Sequence, residues 1–111
     1  MVRFSIDPRE GRLLVRGHAG FGQPGADPVC AGVSVLVLTL CRCVEELGER
    51  GQVSIQALAA EPGAAQIRCR SLPGSERELE VLFGAAATGL RLLAKEYGSF
   101  VKEVPFPEEA V

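Results

Sequence analysis

The chain has no tryptophan, a single tyrosine and five phenylalanines. Large aromatic side chains therefore do not carry the interior, and the core must be assembled from Leu, Val, Ile and Ala. Charge of one sign is not concentrated anywhere. Twelve Lys and Arg stand against fourteen Asp and Glu, interspersed along the chain without a basic cluster, so no direct nucleic-acid contact is expected from linear spacing. There is no C-x-x-C pair, and the four cysteines, Cys30, Cys41, Cys43 and Cys69, lack the spacing of a disulfide framework in a secreted chain. Cys41-Arg42-Cys43 invites a metal reading, but zinc sites pair such a motif with further ligands, and His18 is the only histidine. No metal and no organic cofactor are expected. No signal-peptide apolar region opens the sequence. The longest apolar run, Val29 to Cys41, is interrupted by Ser34 and Thr39 and is short for a bilayer span. The expected location is the cytoplasm, without a membrane partner.

What is present suits one compact domain spanning residues 1–111. A chain of 111 residues has room for one hydrophobic core, and at 47% apolar residues it can build that core without covalent staples. Val2, Phe4 and Ile6 alternate with Arg3, Ser5 and Asp7, the pattern of a half-buried strand. Asp7-Pro8-Arg9-Glu10-Gly11 is turn chemistry, and residues 12–18 read as the returning strand of a hairpin. A glycine-rich loop follows, Gly20-Phe21-Gly22-Gln23-Pro24-Gly25, whose composition favours mobility over packing.

Asp27 and Pro28 then open a helix, Asp27 as N-cap and Pro28 at the first helical position, where a missing N–H costs nothing. It is expected to run to Leu47 and stop at Gly48. Its first half is apolar almost all round, which calls for burial on two sides, one against a sheet and one against another helix or a second copy of the chain. Residues 53–58 and 64–71 form a second strand pair across Pro62-Gly63. Ser75 and Glu78 read as a capping box for a second helix that carries Leu79, Leu82, Phe83, Ala86, Leu90 and Leu93 at helical spacing. Residues 100–104 add an edge strand. The fold class is α+β: a two-layer ββα-ββα domain with two helices packed on one face of a largely antiparallel sheet.

Cys30 stands at about the third position of the first helix. There the helix dipole and unpaired N–H groups favour a thiolate over a thiol. His18, at the end of the preceding strand, is placed to take the thiol proton and later to protonate a leaving amine. The amides of the helix start are candidate oxyanion donors. Cys41 and Cys69 fall on apolar faces and read as core.

The segment Gly17-His18-Ala19, followed by Gly25-Ala26-Asp27-Pro28-Val29-Cys30-Ala31-Gly32-Val33-Ser34, resembles the G-H-A…G-x-D-x-V-C-A-x-V-S signature of the ribosomal-processing cysteine proteases, the Prp family. The motif is confined to residues 17–34, whereas length and element order agree over the whole chain. Pro28 and Gly32 depart from it, standing where many relatives carry an aliphatic residue and an Ala; neither departure removes a reacting group.

The resemblance implies a homodimeric cysteine endopeptidase that removes the N-terminal extension of a large-subunit ribosomal protein, its partner being that N-terminal peptide. It implies Cys30 as nucleophile and His18 as general base. Asp27 and Ser34 are supporting residues, and Gly20, Phe21, Gly22 and Gly25 belong to a flexible substrate loop. The competing reading is a non-catalytic, dimeric ribosome-assembly or peptide-binding module, in which Cys30 is only a packed thiol. The two differ in whether Cys30 reacts with iodoacetamide faster than the other cysteines, and whether that rate depends on His18.

Overall fold

The computed structural model describes residues 1–108 and contains five strands and two helices. In chain order these are β1 (Val2–Asp7), β2 (Arg12–Arg16), α1 (Pro28–Glu49), β3 (Val53–Glu61), β4 (Ala64–Ser71), α2 (Glu76–Glu96) and β5 (Val101–Glu103). The strands form one sheet in the order β3-β4-β2-β1-β5. All neighbours are antiparallel except β5, which lies parallel to β1 at the edge. Both helices cover the same face, giving the two-layer α+β arrangement that the element order implies.

Strand alternation decides which face is covered. Val2, Phe4 and Ile6 of β1, Leu13 and Val15 of β2, and Ala65, Ile67 and Cys69 of β4 point to the helices and are buried. From α1 they meet Val29, Val33, Val37, Leu40 and Val44; from α2, Leu79, Phe83, Ala87 and Leu90. The core is thus aliphatic, with Phe4 and Phe83 as its two fully buried rings. Burying a side chain of this size contributes roughly 1.5–3 kcal/mol.

The run from Val29 to Cys41 extends into a 22-residue helix that is long and apolar enough, by length and composition, to cross a membrane. In this fold α1 packs beside α2 on one face of the sheet, burying Val29, Val33, Val37, Leu40, Cys41 and Val44.

Local details differ from the sequence reading at several ends: β3, expected over residues 53–58, runs on to Glu61, and the edge strand expected over residues 100–104 covers Val101–Glu103. Gly48 does not stop α1; the helix continues to Glu49 with Arg50 as its C-cap, and Gly51 (φ +71°) supplies the left-handed residue just beyond. Ser75 stands at the N-cap of α2 without capping by its side chain. The anticipated box with Glu78 is replaced by Glu76, whose carboxylate accepts from the Gly74 amide at 3.0 Å. Strand β2 ends at Arg16, two residues before His18. Gly17 follows in a left-handed conformation (φ 96°), where a Cβ would collide with the Met1 carbonyl oxygen, and this frees His18 from the sheet.

Candidate active site

Two chain reversals converge at one end of the sheet. The first is the loop from Gly17 to Asp27, which leads from β2 into α1. The second is the two-residue turn Pro62-Gly63 joining β3 to β4, with Gly63 at φ +76°, as the third position of a type II turn requires. Gly17 donates its amide to the Gly63 carbonyl at 2.9 Å, so the two reversals are tied together.

Between them lies an open cleft of about 350 Å³. His18, Cys30 and Ser34 line it, with an apolar wall that includes Val2, Val15, Val33, Val37 and Leu38, and the β3–β4 turn on the other side. His18 is exposed and Cys30 half-buried. The imidazole lies against Gly63: a Cβ at that position would stand 2.7 Å from Nε2 and 3.0 Å from Cε1.

Ala19, the residue after His18, donates its amide to Sγ of Cys30 at 3.1 Å. Because adjacent Cα atoms are about 3.8 Å apart, this bond holds the backbone of His18 next to the cysteine. It also directs an N–H at the sulfur.

Asp27 organises the loop behind this pair. Its Oδ1 accepts from the amides of Val29 (2.9 Å) and Cys30 (3.1 Å), capping α1. Its Oδ2 accepts from the amides of Phe21 (2.9 Å) and Gly22 (3.0 Å). One buried carboxylate therefore joins the glycine-rich loop to the turn of helix that carries Cys30. The Gly22 amide above all, opposed by desolvation and helped by the amides of Cys30, Phe21 and Val29, holds the Asp27 carboxyl below its ordinary value.

This arrangement revises the expectation that the helix start offers free amides. Those of Val29 and Cys30 go to Asp27 Oδ1 and that of Ala31 to the Asp27 carbonyl, so the observed donor to sulfur is the loop amide of Ala19.

Of the residues singled out in the sequence, His18, Cys30 and Ser34 share the cleft and Asp27 braces it. Gly20, Phe21, Gly22 and Gly25 do not line it. Phe21 packs edge-on against Tyr97 (centroids 5.5 Å) and Phe100 (5.2 Å), which turns the loop toward the end of α2. The sequence reading missed the role of Ala60 to Ala65: Pro62-Gly63 signals a turn, but nothing local says that the turn faces His18.

The other cysteines are remote in chemistry. Burial pushes the Cys69 thiol up to about 11, and burial together with the charge of Glu45 raises that of Cys41. Among the described residues no group of three His, Cys, Asp or Glu side chains is placed to hold a metal ion.

A cysteine sulfur and an imidazole thus share one open, largely apolar cleft. The chain belongs to the family described as "Cysteine protease Prp", whose profile matches residues 1–102, and it is an enzyme of that class. Among solved structures it is similar to the essential ribosomal processing protease Prp from S. aureus with a covalently linked product peptide. That match has a TM-score of 0.74 at 18% identity, covering 95% of this chain and 97% of the other. The same S. aureus protease with a substrate peptide matches with a TM-score of 0.68 at 17% identity, covering 96% and 100%. SMU.848 from Streptococcus mutans matches with a TM-score of 0.68 at 25% identity, covering 97% and 96%. At such identities the S. aureus matches speak for the fold. No curated protein matches the chain.

Proposed function

We propose that this protease removes the N-terminal extension of a large-subunit ribosomal protein, with Cys30 as nucleophile and His18 as general base. The observation that carries the reading is the bond from the Ala19 amide to Cys30 Sγ, which holds the cysteine beside the backbone of the only histidine in the chain. The family and the structural likeness to a ribosomal processing protease support the substrate class.

The steps follow from these groups. His18 accepts the Cys30 thiol proton, and the thiolate, bonded by the Ala19 amide, attacks the scissile carbonyl carbon. The new C–S bond forms as the carbonyl π electrons move to oxygen. The C–N bond then breaks as His18 returns the proton to the departing amine, leaving a thioester. Water, deprotonated by His18, hydrolyses the thioester and restores the thiol. The apolar wall of Val2, Val15, Val33, Val37 and Leu38 suits an apolar or aromatic side chain before the cut. Asp27 fixes the helix start and the loop, and Ser34, one turn after Cys30, supports the site without reacting.

The enzyme acts as a homodimer in the cytoplasm. Val35 (63% exposed) and Leu38 (56%) on α1, with Leu92 (59%) on α2, leave an apolar helical surface that suits a second copy. A shallow apolar groove between the helices, lined by Val35, Leu36, Gly89 and Leu92, continues it.

The test is cleavage of the N-terminal peptide of the organism's own ribosomal protein by wild type, Cys30→Ala and His18→Ala, read by mass spectrometry. Cutting at one site by wild type and by neither variant is the expected result. Binding without cutting by all three proteins overturns the proposal.

A further inference from the structure

The basic residues that look dispersed along the sequence are gathered by the fold. The face of the sheet away from the helices receives Arg3 from β1, Arg12 and Arg16 from β2, Arg68 and Arg70 from β4, and Lys102 from β5, all at outward positions of the alternation. The register sets Arg3 between Arg16 and Lys102, and Arg12 opposite Arg68. Neighbouring strands are only about 4.7–4.9 Å apart, and like charges directly opposite destabilise a sheet. Arg9, in the β1–β2 turn, joins Arg12, Arg68 and Arg70 around an open cleft of about 610 Å³ at the end of the sheet away from Cys30. With Arg9, seven of the twelve Lys and Arg residues of a chain whose net charge is −2 lie on this side.

Among the described residues, the acidic groups near this face are Asp7, which pairs with Arg12 in the register, Glu10, Glu61 and Glu108. Asp7 accepts the amides of Arg9 and Glu10 within the turn. Glu10 lies at one rim of the cleft, Glu61 ends β3, and Glu108 lies beside Arg12, Arg16 and Arg68. Arg12 and Arg68 have partners within the chain, and Arg12 also covers the Phe106 ring at 4.2 Å. The surface therefore stands chiefly on Arg3, Arg9, Arg70 and Lys102, with Arg16 beside them.

We propose that this cationic sheet face docks the phosphate backbone of RNA. Guanidinium groups match phosphate oxygens in a bidentate fork, and the strand pairs present them in rows rather than singly. Among the described residues, the large apolar side chains on this face are Leu14 and Phe106, too little for insertion into a lipid surface. A basic ribosomal-protein tail would be repelled by the face, so the peptide cleft and the cationic face take different ligands. The choice of RNA among polyanions rests on the proposed substrate, whose own partners are RNA. Linear spacing gave no reason to expect nucleic acid; the register does.

The test uses full-length Cys30→Ala protein and a fluorescein-labelled 20-nucleotide oligouridylate, with anisotropy measured across a salt series. Single-stranded RNA gives a slope of about −0.7 in log K against log salt per neutralised phosphate, so four contacts predict about −3. Arg3→Ser/Arg70→Ser, placed in the same Cys30→Ala background, should weaken binding at least ~10-fold and flatten the slope by about 1.4. In the active protein the same pair should leave peptide cleavage unchanged, which also shows that the variant folds. Arg77→Ser/Lys95→Ser, on α2, should bind as the parent does. Salt-independent or absent binding, an unaffected Arg3/Arg70 variant, or equal affinity for polyglutamate would overturn the proposal, the last in favour of an acidic protein. Cleavage of the ribosomal peptide is scored separately, so failure of the substrate reading and failure of the docking surface are told apart.

Discussion

Gly63 packs directly against the imidazole of His18, and the space a methyl group would need is already occupied by Nε2 and Cε1. The β3–β4 turn is thus the seat of the proposed general base. Gly63→Ala is expected to displace the ring and lower kcat by on the order of 100-fold. Part of any effect will come from the left-handed backbone, so Gly51→Ala is the control. Gly51 has nearly the same φ (+71° against +76°) but open space around it. Both variants should lose similar thermal stability, and only Gly63→Ala should lose turnover. Equal activity in the two would remove the turn from the site.

Thiol reactivity should separate Cys30 from the buried cysteines. With Cys69 near 11, about one molecule in ten thousand carries that thiolate at pH 7. Iodoacetamide should alkylate Cys30 at least ~100-fold faster than Cys69 or Cys41, and His18→Ala should slow Cys30 alone. Peptide mapping after timed quenching reads all four rates in one experiment.

Asp27 has two jobs that one substitution can divide. Asp27→Asn, with its oxygen toward the amides of Val29 and Cys30, keeps the helix cap but places an NH2 where the amides of Phe21 and Gly22 need an acceptor. Activity should fall roughly 10-fold in Asp27→Asn and on the order of 100-fold in Asp27→Ala. Circular dichroism should show α1 retained in the Asn variant. If Asn and wild type cleave equally, the bonds to the loop have no part in activity.

The same carboxylate predicts an acid dependence. Its pKa is lower folded than unfolded, where 3.8 is the ordinary value. The unfolded chain therefore takes up the proton first as pH falls. The stability that Asp27 contributes is complete above the unfolded value and disappears as pH drops through the lower folded one. Melting temperatures measured from pH 6 to pH 3 should show a drop below about pH 4 that is smaller in Asp27→Asn. Parallel curves would exclude Asp27 as its source.

Phe21 anchors the loop through two edge-on ring contacts, each contributing about 0.5–1.5 kcal/mol beyond buried area. Phe21→Ala should speed amide hydrogen exchange at residues 20–25 while leaving that of α1 unchanged. An unchanged exchange pattern would place the anchor elsewhere, on the bonds to Asp27.

How much of this was legible in the sequence depended on the range of the interaction. Asp27-Pro28 announced the start of α1 because a cap is a local hydrogen-bond event, and strand alternation announced β1 and β4 for the same reason. The resemblance over residues 17–34 brought His18 and Cys30 together before any coordinates did. Ser75 and Glu78 misled because the Ser75 amide that Glu78 would accept is already given to the Leu72 carbonyl, a competition that spacing alone does not rank. Gly48 misled because helical glycine costs only about 1 kcal/mol, and Gly51 was available one turn on. The turn at Pro62-Gly63 was visible as a turn, but its place beside His18 comes from β4 pairing with β2, a contact between segments some fifty residues apart. The cationic face was hidden for the same reason: each arginine is isolated in the chain and meets its neighbours only across strands.

The first residues are stitched into the sheet at the edge of the cleft that His18 and Cys30 line. Val2 donates its amide to the Phe100 carbonyl and lines the cleft, while the Met1 carbonyl presses against Gly17, the residue before His18. A polypeptide fused ahead of Met1 would therefore begin beside Gly17 and the cleft that Val2 shares with Cys30, tethered where it competes with a peptide arriving from solution. An affinity handle on the opposite terminus leaves the cleft edge formed by Val2 clear.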